Sequence, residues 1–130
     1  MRLPSGSSAR VPDILFVHTA HANRITETFL DGPADLVVEV VSLDSRDRDR
    51  STKFFEYEQA GVSEYWLIDP LRQVAEFYRI NAAGRYEHRS VDGDGYYRSL
   101  ELNGFRLNPV WLWQDPLPEI QDVMRDTSEQ

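Results

Sequence analysis

Cysteine is absent from this chain. That removes a disulfide framework, a thiolate metal site and a cysteine nucleophile together, and it agrees with a reducing cytoplasm, the compartment we expect. Long apolar runs are also missing. No stretch approaches the ~20 residues that a membrane helix needs, and Met1-Arg2-Leu3-Pro4-Ser5-Gly6 has no apolar centre to serve as a secretion signal. Positive charge is scarce, with 14 Lys and Arg against 22 Asp and Glu, a net charge of −8 and a pI near 4.8. Duplex DNA is usually gripped by cations that neutralise phosphates, so this balance argues against tight non-specific association. It leaves room for an enzyme, because a bound divalent cation reverses the local sign of a two-carboxylate site. There is no glycine-rich phosphate loop and no serine–histidine arrangement of recognisable spacing.

What is present fits a globular protein. Apolar residues make up 41% of the 130 and aromatics 12%, enough to build one domain's core. Ile14-Leu15-Phe16-Val17 reads as a short buried strand after Pro12-Asp13. Residues 18–34 are polar and read as a loop with a helical turn. Leu36-Val37-Val38-Glu39-Val40-Val41 is the strongest strand, apolar on both alternating faces and therefore central. A helix follows, capped at Ser45 or Ser51 and running to about Ala60, with Gly61 placed to stop it. Phe54 and Tyr57 give that helix its apolar stripe. Val62–Asp69 is the next buried strand, and strand–helix–strand with short joints predicts a right-handed crossover and parallel pairing.

Beyond Asp69-Pro70 the period falls to about two. Val74–Ile80 and Arg85–Val91 are joined by Asn81-Ala82-Ala83-Gly84, a hairpin signal. Asp92-Gly93-Asp94-Gly95 turns the chain into Tyr97–Leu102 and then Phe105–Leu107. Trp111-Leu112-Trp113 should pack onto the sheet. Residues 1–113 are expected to form one domain, and 114–130 an acidic tail.

Glu39 is the most informative residue. An ionised carboxylate inside an apolar strand costs several kcal/mol unless a cation or donors compensate it. It is a metal ligand, a buried acid held by an arginine or by backbone amides, or the sign of a strand that exposes one edge. Asp13 alone is ordinary Pro-Asp turn chemistry, and Lys53 alone, four residues after Asp49, is a surface ion pair. Together the three gain meaning. Two carboxylates on adjacent strands can share a divalent cation, and a lysine above them can orient water or offset charge on a phosphate. His18-Thr19-Ala20-His21 has two imidazoles but no third clear ligand. Asp92-Gly93-Asp94-Gly95 begins like a calcium loop, but Tyr96 and Tyr97 break it, so it is a turn. Arg46, Arg48 and Arg50, alternating with Asp47 and Asp49, read as a solvated helix start or as contacts to a phosphate backbone.

Gly32-Pro33-Ala34-Asp35-Leu36-Val37-Val38-Glu39-Val40-Val41-Ser42, then Asp49, Lys53 and Tyr57, then Gly61-Val62-Ser63-Glu64-Tyr65-Trp66-Leu67-Ile68-Asp69-Pro70, resembles the Uma2 family of restriction-endonuclease-like proteins. That family is related to the PD-(D/E)XK nucleases. Val11-Pro12-Asp13-Ile14 is similar to its upstream strand, and the resemblance runs from about residue 9 to residue 113. It implies an α/β fold: a restriction-endonuclease-like mixed sheet with a βαβ crossover followed by antiparallel hairpins. From the resemblance we expect the family's N-terminal helix to be missing ahead of the Pro-Asp strand, the sequence being either a fragment or a form in which a partner supplies that cover or the site is incomplete. The resemblance gives Asp13 and Glu39 the places of the metal-binding acids, with Mg²⁺ or Mn²⁺ as cofactor. Val41 replaces the usual lysine two residues after the second acid, and Lys53 takes that lysine's place on the helix. Asp49 and Tyr57 match recurrent positions without an assigned role. Leu43 stands where proline is common, and Pro33-Ala34 reverses the usual order.

The implied activity is metal-dependent phosphodiester hydrolysis, with DNA as the expected partner, no membrane and a homodimer as the assembly. The rival reading is a catalytically inactive binding or oligomerisation module on the same fold, motivated by the acidic total and by the hairpins, which could pair edge to edge.

Overall fold

Five consecutive residues, Leu36–Val40, form the strand on which the fold is organised (β2). Leu, Val and Val fit a pleat covered on both faces, and Leu36, Val37 and Val38 are all buried. Burying each contributes roughly 1.5–3 kcal/mol. The structure, a computed structural model, describes residues 12–26, 30–41 and 48–113, with only the backbone at 48–50. The expected acidic tail at 114–130 lies outside the described residues.

The main sheet has five strands in the order β1-β2-β3-β4-β5. These are β1 (Ile14–Phe16), β2, β3 (Glu64–Asp69), β4 (Val74–Ile80) and β5 (Tyr86–Arg89). Only β2 and β3 pair in parallel, as expected for two strands separated by a helix; the other pairings are antiparallel. A two-stranded ladder of β6 (Tyr97–Arg98) and β7 (Arg106–Leu107) is separate. The mixed α/β class and the crossover are as the sequence implied, with strand ends shifted by one or two residues. The 18–34 loop does hold a helical turn, a 3₁₀ helix at Thr19–Arg24.

One expected strand is much shorter. Tyr97–Leu102 is extended only over Tyr97 and Arg98. The next residues leave the ladder because Ser99 Oγ and the Leu100 and Glu101 amides all turn to the Glu64 carboxylate.

The single α-helix among the described residues, α1 (Arg48–Ala60), crosses one face of the sheet. It stops as expected: Gly61 takes φ +80°, its N–H bonds Glu58 O, and Val62 N–H bonds Tyr57 O. This double bond pattern is a Schellman stop, which a side chain at Gly61 would strain. Strand alternation then makes two cores. Val37, Val41, Tyr65 and Leu67 face α1 and pack with Tyr57, Phe54, Tyr78 and Tyr86. Leu36, Val38, Trp66 and Phe77 face the other way, onto Tyr97, Leu107, Trp111 and Leu112, so the 3₁₀ helix Pro109–Trp113 covers the sheet as expected. Edge-to-face rings fasten α1, Phe54 lying 5.0 Å from Tyr78 and 5.2 Å from Tyr86. Such pairs add ~0.5–1.5 kcal/mol each beyond burial.

Candidate functional site

Residue parity puts Glu39 on the α1 side of β2, between Val37 and Val41. It is 3% exposed. Two donors meet it there, both from α1: Lys53 Nζ donates to Oε2 at 3.0 Å and Tyr57 O–H donates to Oε1 at 2.7 Å. Lys53 and Tyr57 are four apart, one above the other on the helix face that the sheet covers. Lys53 therefore turns toward the sheet at this contact. Its side chain is 23% exposed and reaches inward to the strand acid. The Asp49 side chain lies outside the described residues, as do those of Arg46, Arg48 and Arg50.

Asp13 arrives from the other side. Ile14 pairs with Val38, so the antiparallel register continued by one residue sets Asp13 beside Glu39. Asp13 is exposed, and its Oδ2 accepts the Val40 amide at 2.7 Å. The carboxylate thus replaces the carbonyl that a longer β1 would have offered, and this fixes it at the end of β2. The structure joins Lys53 to Glu39 directly and brings Asp13 to the same strand end; no hydrogen bond or ion pair links Asp13 to either among the described residues.

The donor chemistry fits a hard divalent cation. A carboxylate has about four lone-pair sites, and Glu39 receives one donor per oxygen, leaving capacity for an ion. Among the described residues no group of three His, Cys, Asp or Glu could hold a metal. Mg²⁺ commonly binds through one or two carboxylates and completes its shell with water and substrate phosphate, which is what two acids allow.

Residues 1–109 match the model of a family described as "Uma2: Putative restriction endonuclease". The chain belongs to the Uma2 family. A solved structure described as "a putative nuclease belonging to DUF820 from Anabaena variabilis" is similar in fold, with a TM-score of 0.62 and 20% identity over 80% of this chain. This chain covers 59% of that one. No curated protein matches.

Uma2 membership is reflected in the mixed sheet shared with that solved structure, and this chain's own structure gives a reason why Val41 cannot be the lysine expected two residues after Glu39. Val41 is buried in the α1-side core, a poor place for an ammonium, while α1 offers Lys53 from above. The role of Tyr57 was not readable from the sequence. Its spacing from Lys53 was the available signal, since a polar-tipped residue four along a helix from another shares its face.

Several further polar groups belong to the fold. Glu64 is fully buried and takes donors from Trp66 Nε1, Tyr97 O–H, Ser99 Oγ and the amides of Leu100 and Glu101. Burial, foremost, and the Glu64 carboxylate push the Tyr97 hydroxyl well above its ordinary pKa, so it stays a donor. Glu58 accepts the Tyr86 amide at 2.7 Å. The two histidines do not form a shared site. His21 Nδ1 lies 2.8 Å from Asp35 Oδ1, and His18 Nε2 contacts Glu101. Burial acts to raise the Asp35 pKa, but the His18 amide and the His21 ring outweigh it and hold the carboxyl below its ordinary range. Asp92–Gly95 is a turn, with Gly95 bonded back to Asp92 and Arg98 paired to Asp92 and Asp94.

Proposed function

We propose that this Uma2 chain is a divalent-metal-dependent nuclease-like domain that hydrolyses phosphodiester bonds, with DNA as substrate. The observation that carries the reading is the 3.0 Å contact of Lys53 Nζ with Glu39 Oε2, an amine delivered by a helix onto an acid embedded in an apolar strand. Asp13 and Glu39 would hold Mg²⁺ or Mn²⁺. Such an ion, when bound, supplies Lewis acidity at the phosphate and a more acidic water. Tyr57 holds one Glu39 oxygen in place, and the Val40 amide holds Asp13. Lys53 has three N–H donors; one is committed to Glu39, and the others can orient the attacking water or meet charge building on the phosphate. Residues 1–113 would make up this domain, acting in the cytoplasm. Among the described residues no helix is long and apolar enough to cross a membrane.

Plasmid and oligonucleotide cleavage with Mg²⁺ or Mn²⁺ tests the reading. Wild type should cut, and Glu39→Ala and Lys53→Ala should each lose at least about a hundredfold, the scale of removing an electrostatic catalytic group. Cleavage surviving both substitutions in pure, folded protein rules out the assignment.

The two-carboxylate donor set and the position of β5 at the edge of the sheet favour a second reading, a catalytically inactive module that pairs with another copy through that edge. Calorimetric titration with Mn²⁺ separates them: binding abolished by Asp13→Ala supports the enzyme, and no binding supports the module.

A further inference from the structure

Thirteen of the fourteen basic side chains in this sequence are arginine, and Lys53 is the one lysine. It meets Glu39, a strand acid only 3% exposed. Elsewhere the fold holds its acids with arginine. Arg85 Nε lies 3.4 Å from Glu58 Oε1 and Arg72 Nε lies 3.9 Å from Asp69 Oδ2, both acids being buried. Arg98 spans Asp92 and Asp94 at 2.7 and 3.1 Å. The difference is chemical. A guanidinium is a planar fork that grips a carboxylate through several donors, while an ammonium is a compact charge on a flexible stem. A permanent lock on Glu39 would be better made with arginine, which this chain has in plenty.

The two oxygens of Glu39 are held unequally. Oε1 accepts the Tyr57 hydroxyl at 2.7 Å, and Tyr57 is fully buried, so this donor is neutral and fixed. Oε2 accepts from Lys53 Nζ at 3.0 Å. The Lys53 side chain is 23% exposed, so rotation about its own bonds takes the ammonium to solvent. A carboxylate this deep in an apolar strand needs a counter-charge, which the ammonium supplies. A divalent cation would supply it equally well, and the two on one carboxylate repel strongly where little water screens them. Against the ionised Asp13 and Glu39 pair, the ammonium leaves one negative charge unbalanced. A divalent cation balances both and sets the ammonium free.

We propose that Lys53 is an exchangeable counter-ion: its ammonium and a divalent cation alternate on Glu39 Oε2, while Tyr57 keeps Oε1 in place throughout. Once displaced, Lys53 turns outward with all its N–H donors open to substrate phosphate. The proposal rests on the nuclease reading of the same site and adds its regulation, since the amine is released for phosphate only as the metal arrives.

The single lysine makes the test direct, because Lys53 and the α-amino group are the amines that an acylating reagent can take. Native protein is acetylated briefly with and without saturating Mg²⁺, and the Lys53 peptide is read by mass spectrometry. Labelling of Lys53 should rise about fivefold with the ion, the factor for an open form that is about a fifth of the population. Labelling of the α-amino group should stay level. Unchanged or reduced labelling of Lys53 overturns the exchange.

Calorimetry with Mn²⁺ at mildly alkaline pH gives a second sign. Lys53→Met removes the competing charge and should tighten binding about fivefold; Lys53→Arg, a fork harder to displace, should weaken it. An amine that merely orients Glu39 predicts the reverse for Lys53→Met, a loss on the order of tenfold. That loss, or no change, overturns the proposal. The labelling arm uses wild type alone, so it decides the matter even where Lys53→Met fails to fold. The nuclease reading fails on other results. Cleavage lost in Glu39→Ala with Lys53 labelling indifferent to Mg²⁺ keeps the nuclease and removes the exchange. Labelling that rises with Mg²⁺ in a wild type that cuts nothing keeps the exchange and removes the nuclease. A wild type that binds no ion removes both.

Discussion

Two buried glutamates lie on adjacent strands of one sheet and are used in opposite ways. Glu64, on the face turned from α1, receives five donor groups, two of them backbone amides, and its lone pairs are saturated. Glu39, on the α1 face, receives two, both from side chains of one helix. Burial alone therefore does not separate the two acids; 3% and 0% exposure are nearly the same. The number and origin of the donors do. A carboxylate saturated by five donors, two of them backbone amides, has no capacity left for a ligand. One held by two side chains is oriented and still able to coordinate.

The largest effect should come from the saturated acid. Glu64→Ala leaves several buried donors without an acceptor and should cost about 3–5 kcal/mol in urea unfolding. Glu39→Ala should cost only about 1–2 kcal/mol, since Lys53 can turn to solvent. Equal losses would erase the contrast. A smaller effect sharpens it: Tyr57→Phe should leave the fold within about 1 kcal/mol of wild type yet raise the Mn²⁺ dissociation constant about tenfold, the usual scale for a group that orients a ligand. Ser99→Ala, at the other glutamate, should not move that constant. Calorimetry on both variants decides, and a similar shift in both would mean that Tyr57 acts only through packing.

The smallest effect concerns pH. The Asp35 carboxyl is held below its ordinary value by the His18 amide and His21, which outweigh its burial. A depressed folded pKa means that its stabilisation is complete above the unfolded value, near ~3.9, and is lost as pH falls through the folded one. Wild type should therefore lose a component of stability below about pH 4 that Asp35→Asn lacks. Parallel acid titrations of the two would refute this.

Much of the Glu39 region was legible because its signals are local. A lone acid in Leu36–Val40, a helix stop at Gly61 and an apolar strand before Asp69 can each be read within a few residues. The contact of Lys53 with Glu39 could not be read from the lysine alone, because an isolated lysine near Asp49 looks like a surface pair; it gained meaning only beside Asp13 and Glu39 and from the family resemblance. The Glu64 cluster was hidden for a physical reason: four of its five donors come from residues 33–37 positions away, and no periodicity encodes such a meeting. The same contacts explain why the strand expected to reach Leu102 ends at Arg98. His18 and His21 were set aside for want of a third ligand, and the structure agrees, giving them separate partners. Their short spacing invites a shared ligand, while their partners, Asp35 and Glu101, are distant in the chain.

The placement of Lys53 and Tyr57 on consecutive turns of one helix has an evolutionary consequence. Losing a single residue from α1 ahead of Lys53 would swing both side chains by about 100°, away from the strand together. Substitutions can wear this site down one contact at a time. A frame slip within the helix would dismantle it in one event, so insertions and deletions should be far rarer in this stretch than in the turns that join the outer strands.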